Sequence, residues 1–281
     1  MTSTTTLATL QPKIIREAQF IASQSSIMRG LVRNFTVPYG TGKTVNVPFY
    51  PVVTGEKVDE LEAFTDQDIS TSEKVLTVGT AGFSTMISDE SVDTSADNVI
   101  ASVGRIAGEA VARIIDLDLT GLLAGFSTVV GGSNVQMTPA HIFQAVAILR
   151  SKGFSGTDLV CVLNPLVAYD LKAGLTANFA NPYAGPLQNQ AMQTGYITTI
   201  GGVAVYESAN VAETTGDSIG GLFLRDALGF ALLKDVHIEF QRYAAKRATQ
   251  MVVSAVYGTG ELVDGYGVAM SFDSSLAVNA A

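Results

Sequence analysis

DNVIASVGRIAGEAVARIIDLDLTGLLAG, residues 97–125, places Ile100, Val103, Ala107, Ala110, Val111, Ile114 and Leu117 at steps of three and four. That spacing lines one stripe of an α-helix, so one face of the stretch is expected to be buried. Ser95 or Asp97 can cap its start, Glu109 stands four residues before Arg113 in the favourable order, and Gly125 suits a left-handed residue past the end. At about 1.5 Å per residue the helix spans roughly 40 Å, the width of a small domain. Gly104 and Gly108 inside it each cost roughly 1 kcal/mol against Ala. Either another element approaches closely there or the helix is loosened.

The chain around this helix has 281 residues, 47% of them hydrophobic. It can therefore bury a core as one large or two small domains, and disorder is excluded as its main state. A net charge of −9 argues against a dedicated nucleic-acid binder, whose domain is expected to be basic. The opening MTSTTTLATLQPK lacks the charged and apolar regions of a signal peptide, and the apolar run 219–233 is broken by Arg225 and Asp226. The expectation is an intracellular chain that does not enter a membrane. The single cysteine, Cys161 in LVCVL, reads as a small buried hydrophobe rather than a nucleophile. His141 and His237 have no second His or Cys at ligand spacing, which leaves almost no material for a zinc site or a Ser-His-Asp triad. No catalytic residue, metal or cofactor is expected.

Residues 1–40 begin Ser/Thr-rich and then carry Lys13, Arg16, Arg29 and Arg33 against the single acid Glu17. This basic arm is either a solvated, frayed terminus or a segment that lies on a neighbouring subunit or faces a polyanion. From Lys43, KTVNVPFY alternates apolar and polar residues, and EKVLTVGTAGF from Glu73 alternates again, as half-buried strands do. Between them, residues 54–74 hold Glu56, Asp59, Glu60, Glu62, Asp66, Asp68 and Glu73 against Lys57 and Lys74. The expectation is an extended two-stranded arm with an acidic tip, which needs another surface to rest on because such a ribbon is marginally stable alone. YGTGKT, 39–44, imitates the end of a P-loop, but Val37 replaces the required first Gly and a strand with Pro48 and Pro51 follows instead of a helix. It reads as a turn.

Beyond the long helix, STVVGGSNVQM reads as a linker and Thr138-Pro139 as the start of a helix that buries Ile142, Phe143, Val146 and Leu149 and ends at Gly153. DLVCVLN follows as a buried strand, then a short helix closed by Gly174, a loop rich in Asn, Gln and Pro, and a hairpin around Gly201-Gly202. GGLFLR adds a strand. From Asp235 the chain alternates over long runs, which read as strands of one mainly antiparallel sheet with Gly258 and Gly260 at a turn.

An α+β chain in this order resembles the major capsid protein of tailed bacteriophages and, through the fold, the bacterial encapsulin shell proteins. The local pieces that carry the resemblance are TGYITTIGGVAVYES at 194–208 and GLFLRDALGFALLKDVHIEFQRY at 221–243. The resemblance implies an N-terminal arm (1–40), an extended β-hairpin loop (41–94), a spine helix of a peripheral domain (95–134), an α/β axial domain (135–233) and closing strands of the peripheral domain (234–281). It implies a coat subunit that forms hexamers and pentamers of an icosahedral shell around double-stranded DNA, is assembled in the host cytoplasm and resides in the virion. Implied partners are copies of itself, scaffolding and portal proteins and cement proteins, with the DNA held by non-specific contact. No long charged helical segment precedes the arm, so scaffolding would come from a separate protein or from a region removed from this chain. Near alternatives are an encapsulin-like shell enclosing protein cargo and, more distantly, an enzyme with an unrecognised site among Asp116, Asp118, Glu261 and Asp264.

Two sets of contact residues follow as expectations. Acids Glu56, Asp59, Glu60, Glu62, Asp66 and Asp68 of the extended loop would meet Arg242, Lys246 and Arg247 of an adjacent subunit, because the family lays this loop over its neighbour's peripheral domain. Lys13, Arg16, Arg29 and Arg33 would face the packaged genome or lie along neighbours, where they could neutralise phosphate.

Overall fold

The computed structural model describes residues 26–40, 42–49, 55–59, 63–66, 72–94, 99–153, 158–178, 196–214 and 217–276. In chain order these form helix α1 (Met28–Leu31), strands β1 (Arg33–Thr36), β2 (Thr44–Phe49), β3 (Ser72–Thr77) and β4 (Gly79–Ser88), helix α2 (Asp89–Thr94) and the long helix α3 (Val99–Gly121). Strand β5 (Val129–Gln136), helix α4 (Pro139–Ser151), strand β6 (Leu159–Leu163) and helix α5 (Pro165–Asn178) follow. The chain closes with β7 (Tyr196–Ile200), β8 (Val203–Glu207), β9 (Glu213–Thr214), β10 (Asp217–Leu224), β11 (Leu228–Tyr243), β12 (Ala248–Glu261) and β13 (Gly267–Asp273).

Two sheets organise the described residues. The first is four-stranded, in the order β1-β11-β12-β4, and α3 crosses one face of it. Val111, Ile115 and Leu119 of the helix share a buried cluster with Phe230, Met251, Val253 and Ala255. The second sheet is seven-stranded, in the order β5-β13-β10-β6-β8-β7 with β9 beside β10. Its central strands β6, β10 and β13 are covered on both sides, which is why LVCVL is continuously apolar instead of alternating. Cys161 and Leu163 join Ile142, Leu149 and Leu171 of α4 and α5, while Val162 between them joins the α3 cluster. Cys161 is fully buried and burial pushes its thiol up to about 12, as suits an inert core residue.

α4 begins as its sequence promised, with Pro139 in the first turn and a capping exchange in which the Thr138 N–H donates to His141 Nδ1 at 3.1 Å. One of the two histidines is thereby used as a helix cap. The Gly201-Gly202 turn carries φ of 62° and 87° and sets Ile200 opposite Val203, the two-residue hairpin expected there.

Several readings change. The buried face of α3 runs through Ala107, Val111, Ala112, Ile115 and Leu119, while Leu117 is 43% exposed and Val103 and Ile114 are half-buried. Adjacent apolar residues at 114 and 115 let the sequence support either phase, and the sheet selects the one that sets i, i+4 ridges over β11 and β12. STVVGGSNVQM is not a linker: it supplies edge strand β5, parallel to β13, and an added Cβ on Gly131 would lie 2.1 Å from the Ser271 carbonyl oxygen. Gly258 and Gly260 lie within β12, where a Cβ would meet Thr77 O at 2.4 Å and Leu76 Cδ2 at 2.5 Å respectively. Their smallness admits a crossing chain rather than a turn.

The strands after Asp235 divide between the sheets, since β13 pairs with β10 and β5 in the seven-stranded one. Phe143 is 53% exposed and rests on Gly201, and α5 runs past Gly174 to Asn178. Residues 26–37, the last part of the stretch read as a basic arm, are woven into the subunit. Met28, Val32 and Val37 are buried and β1 pairs in parallel with β11.

Candidate inter-subunit surfaces

The first candidate surface is the ribbon. β2 and β3 pair antiparallel from Thr44 opposite Thr77 to Phe49 opposite Ser72, and no third strand joins them among the described residues. One face of its described strands is seated: Leu76 and Val78 share a small core with Val37, Ala231 and Leu262, and Val45 and Val47 pack against that core. Phe49 meets the Tyr266 ring edge-on at 6.2 Å. On the opposite face Val75 is 54% exposed, and Phe64, toward the tip, is 70% exposed. A ribbon seated by one face, with apolar residues exposed on the other face and toward the tip, is a surface prepared for another molecule.

Of the six tip acids, Glu56, Asp59 and Asp66 are described and all three are exposed; Glu60, Glu62 and Asp68 lie outside the described residues. Glu56 is already used within the tip, where its carboxylate accepts the Thr65 N–H, a bond that holds its pKa below the ordinary carboxylate value.

The second candidate surface is the far end of the β11–β12 hairpin. There Ala244–Lys246 form a turn of 3₁₀ helix, and Arg247 takes a left-handed φ of 45°. Arg242 grips Asp89 with both guanidinium nitrogens, at 2.5 and 2.6 Å, and the Asp89 N–H donates to Arg247 O at 3.0 Å. The guanidinium holds the Asp89 carboxyl below its usual range. Arg242 therefore has a partner in its own subunit. The exposed Lys246, whose ammonium lies 5.8 Å from the Tyr243 ring centre, and Arg247 form the basic end.

The third candidate is the root of the arm. Asp116, buried in the middle of α3, accepts hydrogen bonds from Ser26 Oγ at 2.6 Å, Ile27 N at 3.1 Å, Met28 N at 3.2 Å and Asn210 Nδ2 at 3.5 Å. Burial raises its pKa, against the pull of those four donors. Arg225 Nη2 donates to Gly30 O at 2.8 Å, Arg29 lies 3.7 Å from Asp235, and Arg33 lies 3.3 Å from Asp226. The described half of the basic set is thus paired inside the subunit; Lys13 and Arg16 lie outside the described residues. Sequence reasoning missed the clasp, because an Asp within an apolar helix face announces only that some donor will come to it.

The carboxylates considered for an enzyme site have the same kind of employment. Asp118 accepts from Tyr257 OH at 2.7 Å, and Asp264 accepts the Ser127 N–H at 2.7 Å. Glu261 has its pKa raised by burial and by the neighbouring Asp264. Among the described residues no three His, Cys, Asp or Glu gather to hold a metal, and no helix is long and apolar enough to cross a membrane.

A core clasped by internal carboxylates, with an extended ribbon that exposes apolar residues on its outer face and toward its tip, defines a structural subunit built to associate. The chain belongs to the phage capsid protein family, whose sequence profile matches residues 71–271. No curated protein matches the chain by sequence. Solved structures share its fold: the capsid of cyanophage P-SCSP1u at 18% identity and TM-score 0.67, covering 89% of each chain. Mycobacterium phage Che8 gives 17% identity and TM-score 0.67 over 87% of this chain and 90% of that one. The capsid of a native GTA particle, computed with C5 symmetry, gives 12% and 0.66 over 89% and 91%. The protein is a structural component of the virion capsid and not an enzyme.

Proposed function

We propose that this chain is the major capsid protein of a tailed bacteriophage, closing an icosahedral shell of hexamers and pentamers around double-stranded DNA. The observation that carries the reading is the ribbon of Thr44–Phe49 and Ser72–Thr77, seated by one face and exposing Val75 on the other and Phe64 toward the tip, in a chain of the phage capsid family. In this reading the spine is the helix of 99–121, the axial unit is the seven-stranded sheet with α4 and α5, and the peripheral unit is the four-stranded sheet. The extended loop ends near Val78, where the chain enters that sheet. Scaffolding, portal and cement proteins are the further partners, and packaged DNA is held without sequence preference through phosphate neutralisation.

Ribbon and basic hairpin end meet between neighbours in this reading. Asp59, Glu60, Glu62, Asp66 and Asp68 face Lys246 and Arg247, with Glu56 and Arg242 reserved for their internal partners. Electron microscopy of the purified chain tests the assignment: closed particles with fivefold and sixfold capsomers are expected. A monodisperse small species at every concentration and salt tried would overturn it, and closed particles found packed with protein cargo would transfer it to the encapsulin-like class.

A further inference from the structure

We propose that residues 13–22, KIIREAQFIA, dock in a groove beside the C-terminal half of α3 in the same subunit. The groove encloses about 370 Å³ and is lined among others by Leu117, Thr120, Asn210, Asp217, Ile219 and Ser271. At about 30 Å³ per water it holds roughly a dozen solvent molecules, or several side chains. Its walls are unusual for a solvent-facing surface: Leu117 is 43% and Ile219 41% exposed, both large and apolar. Asp217, another lining residue, has a buried Oδ1 with no hydrogen-bond partner among the described residues. An unpaired carboxylate oxygen out of solvent is costly until a donor reaches it.

The described chain starts at the edge of this groove. Ser26 Oγ lies 2.6 Å from Asp116, Asp116 is bonded to Asn210, and Asn210 O accepts from Thr120 Oγ1 at 3.0 Å. Asn210 and Thr120 are themselves groove residues. The clasp thus ties Ser26 through Asp116 to Asn210, a residue of the groove wall. Five residues extend over roughly 17 Å at about 3.3 Å each, so Ile21 and Phe20 are within reach without stretching the chain.

Chemistry selects the segment. Ile14, Ile15, Phe20 and Ile21 match the apolar walls, and Lys13 or Arg16 supplies the cation that Asp217 Oδ1 lacks. The remaining N-terminal stretch, MTSTTTLATLQP, has no basic residue. The same subunit is the source because the clasp fixes the point of entry.

Hydrogen exchange on the full-length, unassembled chain tests this independently of shell closure. Amides of residues 14–24 are expected to be protected in the wild type. Ile219→Asp and, on the facing wall, Leu117→Asp should each make them exchange about tenfold faster or more, as the undocked population rises, while amides of α3 and β10 keep their rates. Asp217→Lys should lose the protection too, and Asp217→Lys with Arg16→Glu should regain it. Wild-type amides already exchanging at the rate of an unstructured peptide would overturn the proposal, as would protection that survives both wall variants. Protection that grows with protein concentration would also overturn it, since the occupant would then be a second copy's segment.

Discussion

The carboxylate of Asp116 stands where a charge is costly, on the buried side of a helix, and keeps its place because four donors from two other segments converge on it. Burial outweighs those donors, so its folded-state pKa lies above the ordinary 3.8. The sign follows from proton linkage: a carboxyl with a raised folded value adds stability that is fully present below its unfolded value and is lost as pH rises through the folded one. Asp116→Asn cannot titrate. The unfolding free energy of wild type minus that of the variant, from urea titrations, should therefore grow as pH falls from neutral toward about 4. A flat or declining difference would mean that the donors, and not burial, dominate the site. Asp89 has the opposite sign, since Arg242 lowers its value: its contribution is present above the ordinary value and fades as pH falls through the lowered one.

At the scale of elements, α3 was legible as a helix from spacing alone, but its phase was not, because Ile114 and Ile115 offer two overlapping stripes. The structure makes a direct test. Ile115→Asp buries an unpaired charge against Met251 and Val253 and should give insoluble protein, whereas Ile114→Asp can turn its carboxylate toward solvent and should lower stability by only about 1–3 kcal/mol. Equal solubility of the two would return the stripe to its first phase. The hairpin at Gly201-Gly202 and the cap at Thr138-Pro139 were equally readable, since each is fixed by chemistry within a few residues. What could not be read were the glycines whose reason lies on another strand.

Gly131 gives way to β13, and Gly258 and Gly260 give way to the ribbon's base. For Gly258→Ala the obstacle is the Thr77 carbonyl oxygen at 2.4 Å, a backbone atom that cannot swing aside. Overpacking of this kind costs about 1–3 kcal/mol. The expected result is a folded subunit with a lowered melting temperature and faster hydrogen exchange confined to Leu76–Val78; an unchanged melting temperature would show that the base shifts freely. Of the candidate contact residues, the sequence correctly supplied charge but not pairing: Arg242, Arg29 and Arg33 all have acids of their own subunit within 4 Å. Those acids are far away in the chain and belong to no motif.

For the whole molecule the decisive experiment is a charge exchange between ribbon and hairpin end. Glu60→Lys with Glu62→Lys should impair assembly, read by light scattering, while leaving the isolated subunit folded. Lys246→Glu with Arg247→Glu should partly restore it, whereas exchanging Arg242 would also break its bond to Asp89. Each exposed pair is worth only about 0–1 kcal/mol, but the contact recurs at every subunit and complementary charge fixes partner choice and register. Assembly of the acid-to-base variant as efficient as wild type at low salt, where screening is weakest, would remove the electrostatic contact. The ribbon's seat on Ala231, Leu262 and Tyr266, beside the two β12 glycines, has a mechanical consequence. A beam clamped along part of its length pivots where the clamp ends, so the packing from Leu76 to Phe49 sets how stiffly each subunit resists a change of angle with the next. Substitutions there should alter the curvature at which the lattice closes, and with it the diameter of the particle, without touching any surface where two subunits meet.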